Sequence, residues 1–290
     1  MRIAQKKAAD EKPPSRQHPD WAKLLRDAVE KPGVISECYR RFWNYSVGNQ
    51  ILAMFQCLER GLEPGPIHTF KGWLDLGRHV RKGEKAITLC MPVTVRRKVD
   101  AERKATDSGV ISDADAKIAV TVFTYKPHWF VLSQTDGADY IAQELPQWSE
   151  AAALKSLHIE RIGFNHPNGN CQGYAHGQAV AVSPLAVLPH KTLFHELAHV
   201  FLGHTAESGR MDDHDLTPVN LREVEAESVA LICCESLGLA GSAECRGYIQ
   251  HWLGKDSIPD RSAQRIFKAA DTILRGGRGG AEQGEPVSVQ

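Results

Sequence analysis

The sequence predicts an α+β protein in two parts, an N-terminal part of helices and strands and a C-terminal part built around a metal-binding helix. Three observations lead to this expectation. The 290 residues exceed the usual size of one domain. Helical periodicity gives way to segments rich in β-branched residues before residue 136. Beyond that position an H-E-x-x-H pattern lies within a predicted helix.

The N-terminal part is expected to start with helices and end with a β-hairpin. Residues 1–19 are rich in Lys, Ala and Pro, which is typical of a disordered arm. We place an N-terminal domain at residues 20–135. Its predicted elements are helices over 21–30, 39–60 and 70–76, and strands over 85–95, 117–125 and 129–134.

The C-terminal part follows an acidic segment, residues 136–150, whose Pro146 favours a linker. We place the second domain at residues 151–275, and a glycine-rich disordered tail at 276–290. The predicted elements of this domain are strands over 158–164 and 179–183, and helices over 191–202 and 218–237.

Composition and charge limit the class of protein. No run of 18 apolar residues could cross a bilayer and the first twenty residues contain no apolar signal segment, so we expect a cytoplasmic monomer without a membrane partner. The seven cysteines form no CxxC pair and indicate reduced core residues. Residues 1–100 hold 19 Lys and Arg against 11 Asp and Glu, whereas residues 101–290 hold 16 against 24. The basic N-terminal excess favours phosphates as partners, although charge can also divide unevenly by chance.

The H-E-x-x-H pattern is formed by His195, Glu196 and His199. On a helix the second histidine projects about 40° from the first, so both imidazoles can bind one ion about 2 Å away. Glu196 lies about 60° from His199, which suits a general base for a metal-bound water. The flanking residues are apolar, which disfavours the alternative of two solvated histidines beside a salt-bridging glutamate.

A catalytic metal site needs a third protein ligand, and several residues are candidates. Glu223 is favoured because it shares one helical face with Ala226 and Glu227, so that Glu223 would ligate and Glu227 would orient a ligating histidine. Glu227 is the main rival as ligand. Glu225 points elsewhere and is expected to be a solvated charge. The weaker candidates are His204, on the wrong side of its helix, and the loop residues Asp212, Asp213, His214 and Asp215.

This ligand set predicts the chemistry of the site. Two imidazoles, one carboxylate and a water form the common catalytic zinc set, so Zn²⁺ is the expected cofactor, with Mn²⁺ or Co²⁺ as alternatives. Such a metal activates water and polarises an amide carbonyl, which predicts a metal-dependent peptidase with an unknown protein or peptide substrate. The strand over 179–183 is expected to bind an extended peptide by edge pairing. Candidates for stabilising the oxyanion are Tyr174, His176 and Tyr248.

Cations and aromatic residues interleave in the N-terminal part. Cations neutralise phosphates and aromatic rings stack on unpaired bases, so the pattern favours single-stranded DNA over a duplex. The alternative for Trp43 and Trp73 is that each fills a core. The candidate DNA-binding residues are Arg40, Arg41, Trp43, Tyr45, Lys71, Trp73, Arg78, Arg81, Lys82 and Lys85.

Motifs in both parts together resemble those of ArdC-type antirestriction proteins. They are the segments 45–52, 69–73 and 77–85 in the N-terminal part, and 194–203 and 223–227 in the C-terminal part. The resemblance implies an N-terminal domain that binds single-stranded DNA, for which it adds Asn49 to the candidates, and a zincin-like C-terminal metallopeptidase domain. It also implies a plasmid or mobile-element protein that protects incoming DNA from host restriction.

Three functional hypotheses follow. The first is an antirestriction protein that binds single-stranded DNA and carries a metal-dependent peptidase site. The second is a DNA-shielding protein whose metal site is structural or vestigial. The third is a regulatory metalloprotease that cleaves a repressor and does not bind DNA. The carboxylate of Glu196 separates the first two, because only peptide hydrolysis requires it.

Overall fold

The computed structural model describes residues 19–98, 117–205, 218–254 and 256–278. The helices are α1 (Trp21–Glu30), α2 (Val34–Phe42), α3 (Val47–Glu59), α4 (Phe70–Asp75), α5 (Glu150–Ser156), α6 (Pro189–Phe201), α7 (Val219–Leu237), α8 (Ser242–Leu253) and α9 (Asp260–Gly276). The strands are β1 (Ile67–Thr69), β2 (Arg78–Val80), β3 (Ile87–Lys98), β4 (Lys117–Val131), β5 (Thr135–Gly137), β6 (Glu160–Arg161), β7 (Gly173–His176) and β8 (Ala179–Val182). The fold is therefore a mixture of helices and sheets, as the sequence predicts.

The strands form three small sheets. In the first, β4 lies between β1 and β3, and the antiparallel pairing of β3 with β4 confirms the predicted hairpin. Its connection lies outside the described residues. The segment predicted as a separate strand over 129–134 is the end of β4 followed by a 3-10 turn, Leu132–Gln134. The second sheet pairs β2 with β5, and in the third β8 lies between β6 and β7.

The single helix predicted over residues 39–60 is wrong, because two helices occupy this region. The chain leaves α2 after Phe42 and adopts an extended conformation at Ser46 before α3 begins. The Tyr45 hydroxyl between them donates a hydrogen bond to the carbonyl of Ile67, 2.7 Å away. This tertiary contact fixes the break, which helical periodicity alone cannot reveal.

A buried helix, α7, forms the centre of the core. Its residues from Val224 to Ser236 are all buried, as expected of a helix that is covered on every side. It packs against α2, α6, α8 and α9. Helices from the predicted N-terminal domain thus contact helices from the predicted C-terminal domain. At another such contact the ring of Trp21 meets that of Phe267 edge-on, with centroids 5.7 Å apart.

The C-terminal end of the described chain also packs on the N-terminal helices. Arg278 lies within the predicted tail, yet its guanidinium group stacks over the rings of Tyr39 and Trp43, at 5.0 and 5.5 Å from their centroids. The remainder of that tail and most of the predicted N-terminal arm lie outside the described residues. All seven cysteines are free, and five of them are buried. Among the described helices, none combines the length and apolarity needed to cross a bilayer.

Helix α6 is positioned by the apolar face that the sequence gives it. Pro189 occupies its first turn, where a missing N–H costs nothing. Leu193, Phe194 and Leu197 are buried and pack the helix against α7 and the sheet of β7 and β8. The histidines of α6 therefore project into the space between α6 and α7.

Candidate metal centre

The structure brings His195, His199 and Glu223 together, as the sequence predicts. One ligand atom from each of the three residues lies within 4.8 Å of the other two. The Nε2 atoms of the two histidines are 3.0 Å apart. Glu223 Oε2 lies 3.4 Å from His195 Nε2, and Glu223 Oε1 lies 3.7 Å from His199 Nε2. Two imidazoles and a carboxylate thus face one point between the helices.

These separations can be compared with those a metal would impose. A tetrahedral ion with bonds of about 2.0–2.1 Å holds its ligand atoms about 3.3 Å apart. The observed distances of 3.0, 3.4 and 3.7 Å bracket that value. The donor set and its spacing therefore fit a divalent metal ion such as zinc.

The close packing of α6 on α7 makes this geometry available. The two helices are in contact, and Ala226 on α7 is fully buried. Glu223, three residues before Ala226, and Glu227, the residue after it, both lie next to His195. Glu227 Oε1 lies 3.3 Å from His195 Nδ1 and accepts a hydrogen bond from Lys191 Nζ at 2.6 Å. Glu227 is thus placed to orient His195, while Glu223 occupies the ligand position.

Glu196 lies beside the ligands in a buried position. The residue is only 7% exposed, and this burial is the main reason why the pKa of Glu196 is raised to about 7. The neighbouring strand β7 approaches closely, since a Cβ atom on Gly173 would lie 3.0 Å from Glu196 Oε1. A carboxyl group that titrates near neutral pH is suited to accept and release a proton.

The two histidines differ in their electrostatic surroundings. Burial disfavours the charged form of His195, but its hydrogen bonds to Glu223 and Glu227 prevail and raise its pKa to about 9. Burial, together with the neighbouring His195, lowers the pKa of His199 to about 4. The hydrogen bond from His195 is the largest influence on Glu223 and lowers its pKa. The two carboxylates therefore favour the protonated form of His195 at neutral pH.

One prediction about the surroundings is wrong. Glu225 was expected to be solvated, but it is 0% exposed, because α7 is covered on that side too. Its carboxylate lies 2.9 Å from His204, which in turn lies 2.9 Å from His199. His204 is not among the converging ligands, in agreement with the helical geometry. The loop candidates at positions 212–215 lie outside the described residues.

The strand expected to pair with a peptide must also be corrected. The strand over 179–183 corresponds to β8, which is paired on both sides, with β6 in parallel and β7 antiparallel. Among the described strands of this sheet the edges are β6 and β7. The sequence does not reveal the order of the strands in the sheet, and β7 is not among the strands that it predicts. Because Gly173 in β7 approaches Glu196, this edge is the one beside the site.

The candidates for stabilising an oxyanion occupy different places. The ring of Tyr174 packs against Phe164 and His166, and His176 is exposed at the end of β7. Tyr248 on α8 is the candidate whose pKa is affected by the carboxylates of the site. After burial, the charges of Glu223 and Glu227 are the next causes of its raised pKa.

Several of the candidate DNA-binding residues make contacts within the protein. Trp73 is 0% exposed and donates to the carbonyl of Phe130 at 2.8 Å, so its ring is not available to stack on a base. Tyr45 is held by the Ile67 carbonyl, and Asn49 forms two hydrogen bonds with the backbone of Cys90, at 2.8 and 2.9 Å. These residues therefore stabilise the N-terminal fold through contacts within the protein.

The candidate cations divide into paired and outward-facing groups. Arg41 donates to the carbonyl of Pro64, and Arg78 donates to Thr135. Arg40 and Arg81 are exposed but lie near glutamates at 2.8 and 3.0 Å. The lysines at positions 71, 82 and 85 are exposed, whereas Trp43 is half-buried against the core. The outward-facing basic charge therefore lies mainly on the three lysines.

The described site and fold define a protein of mixed helix and sheet with a candidate divalent-metal centre on an H-E-x-x-H helix. Residues 21–123 match the family model for the N-terminal domain of anti-restriction factor ArdC. This match assigns the N-terminal part of the chain to that domain family and confirms the resemblance to ArdC-type antirestriction proteins.

Two solved structures are also similar to the chain. A metal-free structure of the antirestriction ArdC protein from the R388 plasmid has 19% sequence identity and a TM-score of 0.46, covering 89% of this chain and 94% of the other. A Mn(II)-bound structure of the same protein has 20% identity and a TM-score of 0.49, covering 90% and 98%. No curated protein sequence matches the chain significantly.

Proposed function

We propose that the chain is an antirestriction protein of a plasmid or mobile element, and that its C-terminal part is a zincin-like, metal-dependent peptidase. The observation that carries the peptidase is the meeting of His195, His199 and Glu223 beside the buried carboxyl group of Glu196. The match to the ArdC N-terminal domain supports the antirestriction role.

The residues of the site divide the work of peptide hydrolysis between them. His195, His199 and Glu223 would hold the metal, which when bound activates water and polarises the scissile carbonyl. Glu196 would accept a proton from the attacking water and deliver it to the leaving nitrogen, for which a pKa of about 7 is suited. Tyr248 is the candidate to donate a hydrogen bond to the oxyanion. Lys191 and Glu227 hold His195 in place.

The surroundings of the site favour an extended polypeptide as substrate. Strand β7 offers backbone groups along an edge next to Glu196, so a substrate strand can add to it. Between β8 and α6, Leu185 and Val187 are each 85% exposed. Val187 N lies 3.3 Å from the side chain of Gln172, just before β7. Two outward apolar side chains next to an edge that is unpaired among the described strands favour apolar substrate residues.

Single-stranded DNA binding is proposed for the N-terminal part. Lys71 is exposed on α4 next to Phe70, which is 51% exposed, and Lys82 and Lys85 are exposed in the loop after β2. Phe70 thus takes the role of stacking ring that the sequence assigned to Trp73. Cations beside an exposed aromatic ring are typical of surfaces that bind unpaired nucleotides.

The experiment compares the wild type with Glu196→Gln, using Glu144→Gln at an exposed position as the matched control. We expect Glu196→Gln to keep its metal content and its salt-dependent binding of a labelled oligonucleotide, and to lose proteolysis of an unfolded protein substrate. Antirestriction is then measured by conjugation into a restricting host. Loss of protection in Glu196→Gln alone supports the peptidase, whereas full protection favours DNA shielding with a structural metal site. A wild type without bound metal would overturn the metal-dependent function.

A further inference from the structure

A chain of hydrogen-bonding groups lies behind His199, on the side away from the candidate ligand position. His199 Nδ1 is 2.9 Å from His204 Nδ1, and His204 Nε2 is 2.9 Å from Glu225 Oε2. The side chains of His204 and Glu225 are 3% and 0% exposed. Water therefore has little access to these contacts, and each group depends on its neighbour for its hydrogen bonds.

The positions of the protons follow from the chemistry of the last group. An ionised carboxylate can only accept, so the Nε2 of His204 must donate to Glu225. In a neutral imidazole the other nitrogen then accepts, so His204 Nδ1 accepts a hydrogen bond from His199 Nδ1. His199 Nε2 is left with a lone pair, and this is the atom that faces His195 and Glu223.

Glu225 is paired with a cation on a different helix. Arg265 Nη1 on α9 lies 3.6 Å from Glu225 Oε1, and the same guanidinium donates to the carbonyl of Leu202 at the end of α6. Arg265 thus ties together the carboxylate and the end of the helix that carries both histidines.

The arrangement repeats on the other ligand. His195 faces Glu227, which is held by Lys191, and His199 faces His204 and Glu225, which is held by Arg265. Behind each of the two candidate histidine ligands therefore lies a buried carboxylate that is paired with its own cation. The two arrangements differ in one respect. Glu227 lies directly next to His195, whereas His204 lies between His199 and Glu225.

We propose that His204 and Glu225 are positioning residues that fix His199 in the one tautomer able to bind a metal through Nε2. This inference rests on the proposed metal site. Groups that orient a ligating histidine typically contribute about 10–100-fold to metal affinity. No pattern in the sequence indicates this role, since Glu225 is one of four glutamates on α7.

We call the chain of His199, His204 and Glu225 the relay. The experiment measures the Zn²⁺ affinity of variants of the relay by chelator competition. Glu225→Gln can donate its amide N–H to His204 and so reverse the proton order, and His204→Phe removes the acceptor. Both are expected to bind Zn²⁺ about 10–100-fold more weakly than the wild type. His204→Asn retains an oxygen near the position of Nδ1 and should recover part of the affinity. The matched control is Glu235→Gln, a buried carboxylate on α7 that pairs with Arg246.

A second measurement does not depend on how well the variants fold. In ¹⁵N-labelled wild-type protein without metal, histidine side-chain NMR should show His199 protonated at Nδ1 and His204 protonated at Nε2. The reverse assignment, or Zn²⁺ affinity equal to wild type in Glu225→Gln, would overturn the relay. A wild type that binds no divalent metal but shows these tautomers would instead overturn the proposed function.

Discussion

Metal affinity should rise steeply with pH, because His195 holds a proton in the metal-free protein. Burial disfavours that charge, but hydrogen bonds to Glu223 and Glu227 raise the pKa of His195 to about 9, from an ordinary value of 6.5. A metal ion binds only the neutral imidazole. At pH 7 about 1% of the molecules carry neutral His195, and this fraction reaches about 50% at pH 9. We therefore expect Zn²⁺ affinity to increase about 50-fold between pH 7 and 9, which is about 2.3 kcal/mol.

The assay is chelator competition at several pH values and constant ionic strength. His199 does not contribute in this range, because its pKa is lowered to about 4. Calorimetry in buffers of different ionisation enthalpy should show release of about one proton per Zn²⁺ at pH 7.5. Glu227→Gln removes one carboxylate that raises the pKa of His195, so its affinity should stop rising at a lower pH. Constant affinity from pH 7 to 9 without proton release would refute the reasoning.

The metal-free protein should respond to pH in the opposite direction. A pKa raised above the unfolded value means that His195 stabilises the fold fully below about pH 6.5 and loses this contribution as the pH rises through about 9. Thermal unfolding should show stability decreasing over this range without metal, by at most about 3 kcal/mol from this group. Stability that increases from pH 7 to 9 in the absence of metal would contradict this sign.

Three substitutions test the packing around the site and the core. Gly173→Ala would place a Cβ atom 2.6 Å from Thr192 Cγ2. We expect the free energy of unfolding to fall by about 1–3 kcal/mol and proteolysis to be reduced. An unchanged melting temperature would show that β7 can move away. Trp73→Ala should lower the free energy of unfolding by about 3–5 kcal/mol in urea titrations, whereas a stable variant that only loses oligonucleotide binding would return Trp73 to the DNA surface. Arg246→Ala leaves Glu235 buried without its ion pair and should cost about 3–5 kcal/mol, and equal stability of Arg246→Ala and wild type would mean that water reaches Glu235.

The metal centre shows how far local sequence reaches. His195 and His199 are four residues apart on one helix, so their convergence follows from the helical repeat alone. Glu223 comes from a second helix, and the clue was a small residue, Ala226, one turn away on the same face. In the structure Ala226 is fully buried, and Glu223 lies next to the two histidines. Helical spacing therefore predicts which side chains share one face of a helix. In this site it also predicted which residue of the second helix meets the two histidines.

The failures have a common cause in long-range contacts. The charge of Glu225 suggests a solvated position, but helices packed on every side of α7 bury it and supply His204 as its partner. The aromatic ring of Trp73 suggests a stacking surface, but it is buried and packs edge-on against the rings of His68 and Tyr140. In both cases the residue type is compatible with two environments. The choice between them depends on segments far away in the chain.

The sequence by itself determined the mixture of helices and strands, the hairpin of β3 and β4, the helix that carries His195 and His199, and the resemblance to ArdC-type proteins. Each of these depends on periodicity or on motifs spanning a few turns, where neighbouring residues fix the geometry. Only the tertiary structure decided the order of β6, β8 and β7, the break between α2 and α3, and the buried relay behind His199. These features arise where segments distant in sequence exclude water from each other, and a pattern within one segment carries no record of the partner that covers it.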